Sequence, residues 1–323
     1  MAAALYDPDF GYYARHAETI GSRGDFSTSA TLSPALGRAV AAWMRERCRR
    51  RPGDPWHVIE CGPGDGSLAV AVLEALGWWH RRRFRMHLVE CSPTLRQRQK
   101  QRLQQYRCVT WHEDMASALH ACGGQADIVS NELADAFPVT LLQCDRGIWQ
   151  EVWLEITSAG ALAEMLRPLP PLPASTLLHW ESEQIPPGQR IEIGSGFHDW
   201  LAGWCPQWKA GAMLTIDYGG RGVEIYQRRP SGTLRAYLHH QRREGLEVYA
   251  SMGRQDLTAD VNFEDLVCWG ERCGLTTVRL VSQREFLSAA GIETPDWTVD
   301  SFLMVEAGAG SAFLVLEQQR LRD

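Results

Sequence analysis

The stretch WHVIECGPGDGSL, Trp56 to Leu68, is a short apolar run that closes on an acid and then breaks into three glycines. Glycines at 62, 64 and 66 let bare backbone approach a ligand where a strand turns into a helix. The dinucleotide fingerprint G-x-G-x-x-G sets its third glycine one position later, to seat a pyrophosphate on the helix N-terminus. Here Gly66 comes early. The closer match is the tighter turn by which S-adenosylmethionine enzymes approach the amino-acid end of their cofactor. Glu60, at the strand end, is then placed to accept from the cofactor's ammonium, directly or through water.

Further acids recur at strand ends. MHLVE closes on Glu90, placed to accept from both hydroxyls of an adenosine ribose and unsuited to a 2′-phosphate. Asp114 in WHEDM is placed either to accept from the adenine amino group or to cap a helix, and the two roles are compatible. SNELADAFPV brings Asn131, Glu132 and Asp135 to the carboxyl edge of the sheet. Asn131 alone reads as a cap and Glu132 alone as a complement to a helix dipole. With Asp135 three residues on, and so expected on the same helical side, they form an acidic rim beside the reacting centre.

These residues need a frame, and the hydrophobic pattern supplies one. Strands are expected at 57–61, 85–90, 108–111 and 126–130, alternating with helices at 66–77, 93–105 and 114–121. Such alternation means a parallel sheet covered by helices. A helix starts at Ser33-Pro34, whereas the segment ahead of it, rich in Gly, Asp, Ser and aromatics, reads as ordered loop. The next comparable apolar run is AMLTIDYG, 212–219, about eighty residues beyond the fourth strand, too far for one crossover.

The intervening PVTLLQCDRGIWQEVWLEIT reads as an antiparallel hairpin turning near Asp145-Arg146-Gly147, followed by the proline-rich RPLPPLP. An insertion is therefore expected at 138–205. Residues 1–137 then form an N-terminal segment and the first half of an α/β core. Residues 206–323 complete it, with a helix at 260–273, a strand at 275–281, a helix near 283–290 and a final strand, SAFLVLEQ. The expected fold is α/β, a parallel sheet covered by helices with a smaller inserted α+β subdomain.

With 323 residues, 45% hydrophobic, the chain can bury a sizeable core. A net charge of -6 offers no bulk attraction to nucleic acid or anionic membranes, and neither is expected as a partner. The local runs RCRRR, HRRRFR and RQRQKQR read as solvated faces. The nine cysteines include no CxxC pair, which fits a reducing cytoplasm and gives no metal site. No stretch approaches the roughly 20 apolar residues that cross a bilayer.

Seven further segments, in order, carry a resemblance: LYDPDFGYY, GDFSTS, IECGPGDGSL, NELADAFPV, TIDYG, GTLRAYLHH and DLTADVNF. Over most of the chain these are similar to the motifs of the MidA-like family, whose mitochondrial member is a complex I assembly factor that methylates an arginine of a partner subunit. The resemblance implies a Rossmann-like class I methyltransferase core with the inserted α+β subdomain, using S-adenosylmethionine on a client protein. By position it implies cofactor contacts from Gly62, Gly64, Gly66 and Glu90, with Asp25 of GDF beside them. Asn131, Glu132 and Asp135 face the substrate, and Asp217, Tyr218, Arg235 and His239 line or brace its pocket. The chain departs from the family at Ala30, where a proline is usual, and at Thr31 and Arg38, where glutamates are usual, so acidic contacts from those positions are not carried over.

Methyl transfer from a sulfonium is an in-line displacement, so the protein mainly positions the nucleophile. An arginine acceptor stays protonated at neutral pH. Paired carboxylates suit it, and Glu132 with Asp135 are the expected pair, one of them free to take the leaving proton. Two other readings are compatible with the residues. His239 and His240 would serve as base for a phenol or small-molecule hydroxyl, and a non-catalytic assembly factor would use Trp149 and Trp153 of the insertion to hold a client. A homodimer is left open.

Overall fold

The computed structural model describes residues 1–15, 33–49, 55–181, 185–238, 241–292 and 309–321. In chain order the first elements are α1 (Ala2–Tyr6), α2 (Tyr12–Arg15), α3 (Ala35–Arg49), β1 (Trp56–Cys61), α4 (Ser67–Arg81), β2 (Phe84–Val89), α5 (Pro93–Arg102), β3 (Val109–His112), α6 (Met115–Ala121) and β4 (Asp127–Asn131). There follow β5 (Thr140–Asp145), β6 (Ile148–Ile156), β7 (Leu162–Pro168), β8 (Arg190–Ile193), α7 (Ser195–Trp204), β9 (Gly211–Gly220), β10 (Arg235–Leu238), β11 (Gln241–Arg243), β12 (Asp256–Thr258) and β13 (Val261–Asn262). The last are α8 (Phe263–Arg272), β14 (Thr276–Ser282), α9 (Gln283–Ala289), α10 (Ala309–Ala312) and β15 (Phe313–Arg320).

The chain divides into two compact units. The sheet unit comprises His16–Leu133, Ala202–Tyr218 and Gly270–Asp323, and the second unit Met1–Arg15, Ala134–Leu201 and Gly219–Trp269.

In the sheet unit the strand order is β14-β15-β9-β4-β1-β2-β3, parallel from β9 to β3, with β15 antiparallel to both its neighbours. The α/β class expected from the alternating pattern is what forms. One face of the sheet, with Val58, Met86, Leu88, Val129, Leu214 and Ile216, packs against Leu36, Val40 and Met44 of α3 and Val72, Leu73 and Leu76 of α4. Each large apolar side chain buried there contributes about 1.5–3 kcal/mol. The two helices cross closely at Gly37, where a Cβ would lie 2.3 Å from that of Ala71. Ser33 and Pro34 do start α3, the Ser33 hydroxyl accepting from the amide of Ala35 at 3.0 Å. Buried Asp127 ties β4 to its surroundings, accepting from Arg47 Nε (2.7 Å), the Ala212 amide (2.9 Å) and Trp56 Nε1 (3.2 Å).

The second unit holds two antiparallel sheets, β7-β6-β5-β8 and β11-β10-β12. The hairpin turns at Arg146-Gly147, as its sequence indicates. Two expectations change. The hairpin gains β7 and β8, which the prolines concealed: Pro168 is the last residue of β7, an edge strand, and edge strands are where a sheet tolerates proline. The opening segment is not loop throughout, because α1 and α2 bury Leu5 and Tyr12 against Ala236, Val248 and Leu257. That packing overrides a composition typical of turns. All nine cysteines are unpaired. Among the described residues no helix is long and apolar enough to cross a membrane.

Candidate functional site

The carboxyl ends of β1, β2, β4 and β9 carry most of the residues singled out above, on the sheet unit. The crevice at β1 and β4 is the switch point of the strand order, where ligands bind in open α/β sheets. Gly62, Gly64 and Gly66 all take left-handed backbone, with φ of 64°, 54° and 83°. A side chain at position 62 would also collide, its Cβ 2.7 Å from Leu133 Cδ1. The turn is fixed by Gly62 N–H to Val89 O (3.1 Å) and Gly66 N–H to Pro63 O (2.8 Å), and Asp65 Oδ1 accepts from the Ser67 amide at 2.9 Å.

Glu60 lies buried at the end of β1, and among the described residues its Oε2 has no hydrogen-bond partner. Burial, with a smaller contribution from Asp65, pushes its carboxyl up to about 8. A buried acceptor with nothing to accept from is costly unless a ligand completes it. An ammonium would do so. The orphaned oxygen and the bare-backbone turn beside it fit the amino-acid end of S-adenosylmethionine.

Glu90, just beyond β2, is also buried, and that burial raises its carboxyl above the usual range against the opposing hydrogen bonds. Oε1 accepts from the Ser92 amide at 2.9 Å and Oε2 from Gln99 Nε2 at 3.3 Å. Asp114 is exposed and caps α6 through the Ser117 amide at 2.8 Å, a bond that lowers its carboxyl. Its capping role is therefore realised, and it leaves the carboxylate at the end of the third strand.

Asn131 ends β4, with Oδ1 buried and unpartnered among the described residues and Nδ2 donating to Glu132 Oε1 at 3.2 Å. Glu132 adopts φ 51°, uncommon for a residue with a side chain and a mark of functional turns. The turn is pinned to β9: Glu132 N–H donates to Ile216 O at 2.9 Å and Leu133 N–H to Asp217 Oδ2 at 3.1 Å. Asp217 is fully buried, and its other oxygen accepts from the Tyr218 amide at 2.9 Å. It is a brace. Tyr218 packs edge-on against Phe313.

The helical spacing expected to pair Glu132 with Asp135 does not form. Glu132 is left-handed, only a short 3-10 turn covers Ala134–Ala136, and Asp135 belongs to the second unit. There it is buried and accepts from the Thr258 hydroxyl at 2.7 Å. Arg235 is buried in the same unit, donating to Asp260 Oδ1 (2.6 Å), Thr233 O (3.1 Å) and the Tyr237 hydroxyl (3.1 Å). Asp25, His239 and His240 lie outside the described residues.

Two polar residues had gone unnoticed in the sequence. Gln99, fully buried on α5, bonds both Glu90 and the glycine turn. Its signal was the spacing Leu95-Gln99-Leu103, one buried face of an otherwise charged helix. Glu192 of β8 is buried and holds Thr233 and Leu234 through their amides, at 2.9 and 3.1 Å, with Tyr226 donating its hydroxyl at 3.1 Å. The cavity beside it, about 20 Å³, has room for one water and no cofactor. No group of described residues has the arrangement to hold a metal ion.

A family model for S-adenosyl-L-methionine-dependent methyltransferases matches residues 35–281. The Drosophila melanogaster protein named protein arginine methyltransferase NDUFAF7 homolog, mitochondrial, is 29% identical over 82% of this chain and 64% of its own length. The Danio rerio protein arginine methyltransferase NDUFAF7, mitochondrial, is 28% identical over 91% of this chain and 72% of its own. The chain thus spans less than two thirds of the Drosophila relative. A crystal structure from Burkholderia thailandensis, bound to S-adenosyl-homocysteine, superposes with a TM-score of 0.83 at 27% identity, covering 99% of this chain and 86% of that one.

Proposed function

The chain belongs to the MidA-like family of S-adenosylmethionine-dependent methyltransferases, and from that premise we propose that it methylates an arginine side chain of a client protein. The observation that carries the cofactor half is Glu60 Oε2, buried beside three left-handed glycines and without a hydrogen-bond partner among the described residues. Support for the acceptor half comes from the relatives, which are named as protein arginine methyltransferases.

When bound, the cofactor supplies an electrophilic methyl group that a nitrogen takes in one displacement. Glu60 holds the ammonium of its amino-acid end, with the turn at Gly62, Gly64 and Gly66 passing close to it. Glu90 accepts from the ribose hydroxyls, and Asp114, while capping α6, is assigned to the adenine edge. Asn131 and Glu132 are assigned to the guanidinium, since a carboxylate pairs with it and favours attack by one nitrogen. Glu132 or water would take the proton that the attacking nitrogen releases. Asp217 braces the turn that carries these two residues, through the Leu133 amide.

The test is incubation with methyl-labelled S-adenosylmethionine and cell proteins, followed by hydrolysis and search for methylarginine. Label in methylarginine, lost in Glu132→Gln without loss of cofactor affinity, supports the assignment. Label in a small molecule alone contradicts it, and so does full activity in that variant.

The non-catalytic assembly-factor reading draws support from one observation. Trp153 and Met165 stand exposed as a cross-strand pair on one face of β6 and β7, and Ile156, Leu162 and Leu166 stand exposed on the other. A client-holding role without transfer would leave the label unincorporated while cofactor binding persists. The nine free thiols support the reducing compartment proposed for the protein, the cytoplasm, although the named relatives are mitochondrial.

A further inference from the structure

We propose that Gln99 is a positioning residue that sets the preference for a ribose over a deoxyribose in the cofactor, acting through Glu90; the inference rests on the cofactor reading above. Gln99 is fully buried on α5. A buried amide is costly unless its bonds are made, and a leucine at this place would continue the Leu95 and Leu103 face without that cost.

Each polar atom of the amide has a partner. Nε2 donates to Gly64 O at 2.8 Å and to Glu90 Oε2 at 3.3 Å, while Oε1 accepts from Trp111 Nε1 at 3.2 Å. An indole N–H only donates, so Trp111 fixes which end of the amide is oxygen and turns both N–H bonds toward acceptors. The amide therefore ties the glycine turn to the acid at the end of β2.

That tie determines what Glu90 has left to offer. A carboxylate presents about four acceptor positions over two oxygens. The Ser92 amide takes one on Oε1, which also lies 3.9 Å from the Cys91 thiol, and Gln99 takes one on Oε2, so that both oxygens are held, Oε2 keeps capacity for a hydroxyl, and Oε1 takes a second one in place of the weak thiol contact. Arg96 fixes the backbone of the same residue, donating to Glu90 O at 2.7 Å. Without Gln99, Oε2 loses its one side-chain anchor among the described contacts and the carboxylate can turn away from a pair of adjacent hydroxyls.

The experiment is calorimetric titration with S-adenosylhomocysteine and with its 2′-deoxyribose analogue. The wild-type protein is expected to favour the ribose form by about tenfold or more, the worth of a hydrogen bond to a charged acceptor. Gln99→Leu should bring that preference within about threefold, whatever it does to affinity overall, because a merely structural defect weakens both ligands alike. Gln99→Met, which keeps the length of the side chain and loses both donors, should do the same. Trp111→Phe, which frees the amide to flip, should give an intermediate preference. Should Gln99→Leu fail to melt cooperatively, the other two variants decide. An unchanged preference in folded variants, or none in the wild type, overturns the role of Gln99 while leaving the cofactor reading intact. Failure of the wild type to bind S-adenosylhomocysteine at all overturns the cofactor reading and this inference with it.

Discussion

The amide of Leu133 donates to Oδ2 of Asp217 across 84 residues of sequence, at 3.1 Å, and so fastens the turn after β4 to β9. Asp217 is fully buried and accepts from the Tyr218 amide with its other oxygen. Asp217→Asn keeps one acceptor and turns an NH2 toward the second donor, leaving a buried N–H unmatched. Unfolding in urea should show a loss of about 1–3 kcal/mol. Because the same turn holds Glu132 at φ 51°, kcat should fall while affinity for S-adenosylhomocysteine is kept. An unchanged midpoint would remove Asp217 as a brace.

Gly62 meets Leu133 from the other side. Gly62→Ala confronts both a left-handed backbone and a contact of 2.7 Å with Leu133 Cδ1. The backbone alone costs about 1–2 kcal/mol. The contact is with the tip of a flexible side chain, so it should yield. Gly62→Ala is expected to cost less in a Leu133→Ala background than in the wild type, a coupling that a double-mutant cycle reads directly. Strict additivity of the two changes would show that the contact carries no strain.

Glu60 gives a proton signature. Its carboxyl is pushed up to about 8 by burial, so at pH 7 the free protein holds it mostly protonated. An ammonium docking on it should expel close to one proton. Binding enthalpies of S-adenosylhomocysteine in two buffers of different ionisation heat should differ accordingly, and Glu60→Gln should abolish its share. The linkage also sets the sign of a stability effect. A carboxyl raised in the folded state contributes stability that is full below the unfolded value, 4.5, and is lost as pH rises through about 8. Relative to Glu60→Gln, the ligand-free wild type should therefore lose stability across that window. A buffer-independent enthalpy would contradict the assignment.

Three histidines on adjacent strands act in the opposite direction. His57 Nδ1 lies 2.9 Å from His87 Nε2, and His87 Nδ1 lies 2.9 Å from His112 Nε2, with the Thr110 hydroxyl 3.0 Å from the central ring. Burial first, then its histidine neighbours and Arg85, lowers His87 to about 4, and His57 and His112 are lowered too. Asp114 opposes the shift at His112. For a depressed histidine the unfolded chain binds more protons in the interval, so stability is full above about 6.5 and declines as pH falls toward 4. His87, which is buried, should account for about 2–3 kcal/mol of that decline. His87→Leu should flatten the difference in unfolding free energy between pH 7 and pH 4. An equal slope in both proteins would show that the ladder does not titrate with folding.

What the sequence disclosed and what it hid follow from range. The strand, glycine turn and helix around Gly62 are contiguous, and so were readable, as were Glu90 at a strand end and Asp114 at a helix start. Asp217 was visible as a candidate, but its bond to Leu133 depends on β4 and β9 becoming neighbours, which no local pattern announces. Gln99 was hidden by the polarity of its own helix, PTLRQRQKQR, where apolar periodicity is nearly absent. Strands β7 and β8 were hidden by prolines and by pairing partners far along the chain. The pairing of Glu132 with Asp135 assumed an α-helix, and the left-handed turn at Glu132 breaks it.

The most direct test of the central claim is calorimetric titration of the purified protein with S-adenosylmethionine, S-adenosylhomocysteine and NAD, with Gly64→Val alongside. Gly64 has φ 54°, a conformation a β-branched side chain resists, and its carbonyl is held by Gln99. The account predicts binding of the first two ligands by the wild type, none of NAD, and loss of binding in the valine variant. Failure of the wild-type protein to bind either adenosyl ligand, or binding of NAD in their place, would contradict it.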